Sequence, residues 1–219
     1  MQLSELRTLL TEYVNDDSTQ RWDNTTRNRY LNIWYKKILT EEPWYFLTAT
    51  DTSITVNNTT SSYAKPSAIQ KIVGVWLGDV KPTNKLSEIT RKERETADFT
   101  VPARPQHYFL MGQNIYIYPK PDASYNLTIE YIRQVPDMSS DSDTPVFDSD
   151  FHYLIPLGAA ASLKKTSGGS QINEADDLVQ EYLAGLDRMR KQLAQGTEDR
   201  PIAVKNTWDL YQRDDFSNT

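Results

Sequence analysis

The segment Tyr108-Phe109-Leu110-Met111-Gly112-Gln113-Asn114-Ile115-Tyr116-Ile117-Tyr118 decides how the chain is read. Two runs of aromatic and β-branched residues flank a polar turn containing a glycine, the pattern of a β-hairpin. Pro119-Lys120-Pro121-Asp122 forces the next turn, because each proline fixes φ and removes a backbone donor. Beyond it Tyr125, Leu127, Ile129 and Tyr131 alternate along one face of a further strand. Upstream, Ser53-Ile54-Thr55-Val56 with the turn Asn57-Asn58 adds a short strand, and Ile69 to Leu77 adds a mostly buried one. The charged stretch from Leu86 to Asp98 reads as a short helix with its flanks. From Trp44 to about Val135 the chain is expected to form a small antiparallel sheet or barrel.

On both sides of this region the period switches to that of a helix. Ser4 is placed to cap a helix carrying Leu6, Leu9, Leu10, Tyr13 and Val14. Asn15-Asp16-Asp17-Ser18 ends it with turn-forming side chains. A second helix follows Arg21-Trp22-Asp23, with Asp23 or Thr25 as cap and Tyr30, Ile33, Trp34 and Ile38 as its apolar face, until Pro43 stops it. After the loop Asp137 to Pro145, a helix from about Ser149 carries Leu154, Leu157 and Leu163 among Gly158, Ala159, Ala160 and Ala161. Pro156 is tolerated there near the first turn. Gly168-Gly169 breaks the pattern, and a last helix from about Asn173 to Ala194 runs on Ala175, Leu178, Tyr182, Leu186, Met189 and Leu193. That spacing alternates three and four, the seam for packing on another helix. Residues 196–219 have no period but keep Ile202, Val204, Trp208, Leu210, Tyr211 and Phe216 among charges, as segments that order on a partner do.

Since neither helix pair buries its stripe alone, the fold expected is α+β: an antiparallel helical bundle with an inserted small antiparallel β module and an extended C-terminal arm. The divisions are 1–43, a helical hairpin; 44–136, the β insertion; 137–195, the hairpin completing the bundle; and 196–219, the arm.

Composition removes many functions. Among 219 residues 38% are hydrophobic and 11% aromatic, so the body of the chain is not a disordered polymer. With no cysteine there is neither a disulfide framework nor a thiolate metal site. The opening MQLSELRTLL lacks a basic-then-apolar signal, and no apolar run has the roughly 20 residues of a membrane span; a soluble chain made in a cytoplasm is expected. The net charge of -6 disfavours tight DNA binding, which works by neutralising phosphates, but not transient passage of DNA past a non-sticky wall.

Catalytic constellations are missing as well. His107 and His152 lie in different modules with no pairing spacing, and no nucleophile elbow, phosphate loop or dinucleotide fingerprint occurs. Asp141-Ser142-Asp143, with Asp148 and Asp150 beyond, has Val146 and His152 where a calcium loop needs glycine and glutamate. Asp176-Asp177 and Asp214-Asp215 are adjacent pairs that point to different helix faces. Tyr108, Tyr116, Tyr118, Tyr125 and Tyr131 could stack on bases, yet only Lys120 and Arg133 are nearby cations, so core or interface packing is the stronger reading. No enzyme, no cofactor and no metal is expected.

An ordered series of segments resembles tailed-bacteriophage head-to-tail adaptor proteins, the connectors of the neck ring. It runs Leu3-Ser4-Glu5-Leu6-Arg7, Arg21-Trp22-Asp23, Arg29-Tyr30-Leu31-Asn32, Ile69-Gln70-Lys71-Ile72-Val73-Gly74-Val75 and Tyr108-Phe109-Leu110. It continues through Ile115-Tyr116-Ile117-Tyr118-Pro119-Lys120-Pro121, Leu127-Thr128-Ile129-Glu130-Tyr131, Phe151-His152-Tyr153 and Gly158-Ala159-Ala160-Ala161. The resemblance implies a structural virion protein, assembled in the host cytoplasm as a homo-oligomeric ring, usually of twelve, under the capsid portal. It implies a C-terminal arm reaching the portal, with Ile202, Val204, Trp208, Leu210, Tyr211 and Phe216 as its contacts. A tail protein (nozzle, stopper or tail tube) meets the opposite end, and DNA passes the lumen unbound on genome ejection. Leu178, Tyr182, Leu186, Met189 and Leu193 are the residues expected to pack the ring and bundle. The competing reading is a tail-associated carbohydrate- or receptor-binding module, which would use exposed tyrosines of the β region.

Overall fold

The computed structural model describes residues 1–16, 21–60, 62–96, 99–167 and 171–194. Its organising strand is β8 (Tyr125–Arg133), whose alternation buries Leu127, Ile129 and Tyr131. Strand β4 (Ile69–Leu77) runs antiparallel to it along its length, from Ile69 opposite Arg133 to Leu77 opposite Leu127. The other edge of β8 pairs first with β1 (Thr48–Asp51) and then with β2 (Thr55–Val56), both antiparallel.

A second sheet has the order β3-β7-β6-β5. Here β6 (His107–Met111) and β7 (Asn114–Tyr118) form the hairpin turned by Gly112 at φ +61, a left-handed conformation glycine adopts without a Cβ penalty. Strand β3 (Ser62–Ala64) borders β7, and β5 (Ser87–Glu88) borders β6 in parallel. The inner faces of the two sheets share one core, including Val75, Leu77, Tyr108, Ile115, Ile117, Leu127 and Ile129.

Helices α1 (Leu3–Val14), α2 (Asn24–Glu41) and α5 (Gln171–Ala194) pack on α4 (Leu154–Ser167). A fifth, α3 (Arg91–Thr96), lies in the β region. Helix α4 is apolar nearly all round, and Leu154 to Ala161 are all buried, as expected of a helix with neighbours on several sides. Pro156 sits in its first turn, where no intrahelical donor is required. Gly158 lets the indole of Trp34 lie against the α4 backbone. That indole donates to Ser162 Oγ at 2.9 Å and meets Tyr182 edge-on at 4.8 Å.

This arrangement corrects the expected architecture. The α+β class stands, but the described residues form five helices and two sheets, and the chain is not a helical bundle carrying a small β insertion. The core around α4 is closed by chain outside the α-helices: Trp44, Leu47, Val135, Met138 and Phe147, with Ile132 from the end of β8 against it. Periodicity says that a stripe must be buried and leaves open what buries it. Nor is the β region wholly antiparallel. A parallel pair needs a crossover connection, and the polar stretch containing α3 supplies it between β5 and β6.

Helix caps divide in the same way. Asp23 caps α2 by accepting from Thr26 N at 2.8 Å, a local signal legible in sequence. Ser4 does not cap α1. The amides of Leu3 and Ser4 donate instead to the carbonyls of Asp143 and Asp141, at 2.8 and 3.2 Å.

Candidate assembly surfaces

The residues expected to pack ring and bundle turn inward. Tyr182, Leu186 and Met189 are buried in the helical core of their own chain, and Leu178 and Leu193 pack half-buried against it. The arm residues Ile202, Val204, Trp208, Leu210, Tyr211 and Phe216 lie outside the described residues.

Residues 135–148 strap the helices to one another on the outside of this core. Asn32 exchanges two hydrogen bonds with the Met138 backbone, at 2.9 and 2.8 Å. Lys36 donates to the Val135 carbonyl and lies 3.2 Å from the Asp137 carboxylate. Arg7 pairs with Asp141 and donates to Asn28 at 3.0 Å. Asp143 accepts from the amides of Ser140 and Ser139, which hold its carboxyl below the usual range. Among the described residues no three His, Asp or Glu side chains are grouped to hold a metal ion, and no helix is long and apolar enough to cross a membrane.

His152 closes the strap. Its Nε2 lies 2.8 Å from the Phe147 carbonyl and its Nδ1 2.8 Å from the Met1 amine. The carbonyl can only accept, so Nε2 carries the proton and Nδ1 accepts from the ammonium. Burial pushes the imidazole below its ordinary value of 6.5, and the Met1 ammonium pushes the same way. The folded state therefore resists the proton that the unfolded chain accepts. Stability contributed by neutral His152 is full above about pH 6.5 and falls as the pH drops below it. The urea midpoint is expected to fall between pH 7.5 and 5.5, and to fall less in His152→Gln, whose amide can still donate to Phe147. Equal pH dependence in the two proteins would contradict this.

The outer face of the second sheet carries His107, Phe109, Tyr116 and Tyr118, and it is covered. The Arg94 guanidinium lies 5.1 Å from the Phe109 ring and 6.0 Å from that of Tyr116. Phe99 packs on Tyr118 at 5.0 Å and on His107 at 6.0 Å. Tyr131 is buried and Tyr116 and Tyr118 are half-buried, so these rings form no open flat platform for a sugar or a base.

A cleft of about 700 Å³ lies between the C-terminal half of α2 and the ends of both sheets. Leu39, Leu47, Ile69 and Val135 make its apolar part. Lys36, Lys65 and Arg133 supply charge, and the remaining lining is hydroxyl and amide, including Gln70, Gln113 and Gln134. No carboxylate lines it, in a chain of net charge -6. Nothing in the sequence marks it, because its three cations stand on separate elements with no common period.

The family model for the SU10 adaptor protein matches residues 1–205 of the chain, so the match takes in the helices and both sheets together. No curated protein matches it.

Proposed function

The chain belongs to the SU10 adaptor protein family, and from that premise we propose that it is a non-enzymatic ring subunit joining the capsid portal of a phage to its tail. The family implies a structural part in the neck of the particle, in association with other virion proteins. The finer reading is a homo-oligomeric ring, of twelve subunits, assembled in the host cytoplasm, with a lumen through which DNA passes on ejection. The observation that carries it is a match spanning 205 residues in order, across both layers of the fold.

Two features support the division of labour. The α5 seam is used within the subunit, which makes a stiff wall element and leaves half-buried Leu178 and Leu193 with surface for a neighbouring copy. The excess of carboxylates gives a wall that does not hold phosphates. The arm, residues 196–219, takes the portal with Trp208, Leu210 and Tyr211 as anchors of the type that dominates interfaces.

Mixing the full chain with its portal and weighing the product by native mass spectrometry tests this directly. A complex with a ring of adaptor subunits is expected. Truncation after Gln195 is expected to weaken docking by at least about 100-fold, since it removes all three anchors. Undiminished docking of the truncated chain would remove the arm from the reading while leaving the ring intact.

A further inference from the structure

We infer that the cleft between α2 and the two sheets is the docking site for the chain's own C-terminal segment, residues 196–219, in the free subunit. This inference stands apart from the portal reading. It concerns where the segment rests before any partner is met.

The first argument is chemical. The cleft joins an apolar floor (Leu39, Leu47, Ile69) to cations and has no carboxylate of its own. Lys36 is already engaged by Val135 and Asp137. Lys65 makes no ion pair among the described residues, and the Arg133 side chain also lines the cleft. A carboxylate is the acceptor that best meets such cations. The occupant should therefore interleave large apolar groups with carboxylates. Trp208-Asp209-Leu210-Tyr211-Gln212-Arg213-Asp214-Asp215-Phe216 does so.

The second argument is location. Arg190, one turn before the end of α5, pairs with Glu41 at 3.5 Å and Glu42 at 3.2 Å. Those glutamates end the same stretch of α2 that gives Leu39 and Thr40 to the cleft. The end of α5 thus lies near the α2 end of the cleft, and residues 195–207 provide a tether of up to ~45 Å. A tether of this kind presents the segment at an effective concentration on the order of 1 mM. An intrinsic dissociation constant on the order of 0.1 mM then keeps it docked about nine times in ten. Such a contact is weak enough for a stronger partner to displace. If the portal takes the same segment, its apparent affinity is reduced by the docked fraction.

The chain has no cysteine, so an introduced pair reports without ambiguity. Gln113→Cys in the cleft with Leu210→Cys in the segment should oxidise quickly to an intramolecular disulfide, at a rate independent of protein concentration. The control is Val80→Cys with Leu210→Cys. Val80 is exposed and lies beyond the end of β4 opposite to the one that lines the cleft. We expect the Gln113 pair to close at least tenfold faster, and Lys65→Glu to slow it several-fold without touching the core. Equal rates for the two pairs, or no effect of Lys65→Glu, would overturn the inference. Covalent dimers forming equally fast from mixed single-cysteine chains would also overturn it, by assigning the cleft to a second copy.

Discussion

Gly158→Ala should destabilise the protein by about 2 kcal/mol, although alanine is the better helix former. A Cβ at position 158 would stand 2.2 Å from Cε3 of Trp34 and 2.4 Å from its Cδ2. The indole cannot step aside easily, because Ser162 holds its Nε1 and Tyr182 packs edge-on with it. Overpacking of this kind costs about 3 kcal/mol, and the gain in helix propensity returns ~1. Urea denaturation at pH 7 measures the difference. Making the same change in a Trp34→Leu background should leave it neutral or slightly stabilising, since the clash is then gone. An unchanged midpoint for Gly158→Ala in the native background would mean that α2 and α4 do not approach as closely as described.

Arg27→Met should lose about 3 kcal/mol at pH 7, the usual result of stripping a buried charge of its partner. The Arg27 side chain is 3% exposed. It donates to Thr11 Oγ1 at 2.7 Å, to the Asp16 carbonyl at 2.6 Å and to the Asp16 carboxylate at 3.0 Å. Burial alone would raise the Asp16 carboxyl, but the Trp22 amide and Arg27 outweigh it and hold it below its ordinary value. A carboxylate depressed in this way stabilises the fold above its unfolded value near 3.8 and ceases to do so as the pH falls through its folded value. The penalty of Arg27→Met should accordingly be full at pH 7 and smaller at pH 3.5. Asp16→Leu combined with Arg27→Met should recover much of the loss at neutral pH, because no unpaired charge remains. A double variant no better than the single one would contradict the ion-pair account.

Signals contained in a few neighbouring residues were legible. The hairpin from Tyr108 to Tyr118, the alternation of Tyr125 to Tyr131 and the Asp23 cap each depend on residues within a few positions of one another. What required distant chain was not legible. Nothing near Leu3 indicates that its amide is met by Asp143, and nothing in Ser87-Glu88 indicates a parallel neighbour at His107. The sequence pattern sets two helix pairs against each other, whereas α4 takes the centre and Trp44, Val135, Met138 and Phe147 fill the remaining sides. Of the site, the aromatic character of residues 196–219 was visible as composition. The cleft was not, since Lys36, Lys65 and Arg133 meet only through the junction of a helix with two sheets.

The carbonyls of Asp141 and Asp143 that receive the first amides of α1 set a clock on biosynthesis. At ~5–20 residues per second the ribosome delivers them, with α4 close behind, on the order of 10 s after Leu3. Until then Leu3, Leu6 and Leu10 have only α2 to bury against. The first helix made is thus among the last to settle, and the chain completes its helical layer only when nearly all of it has been translated.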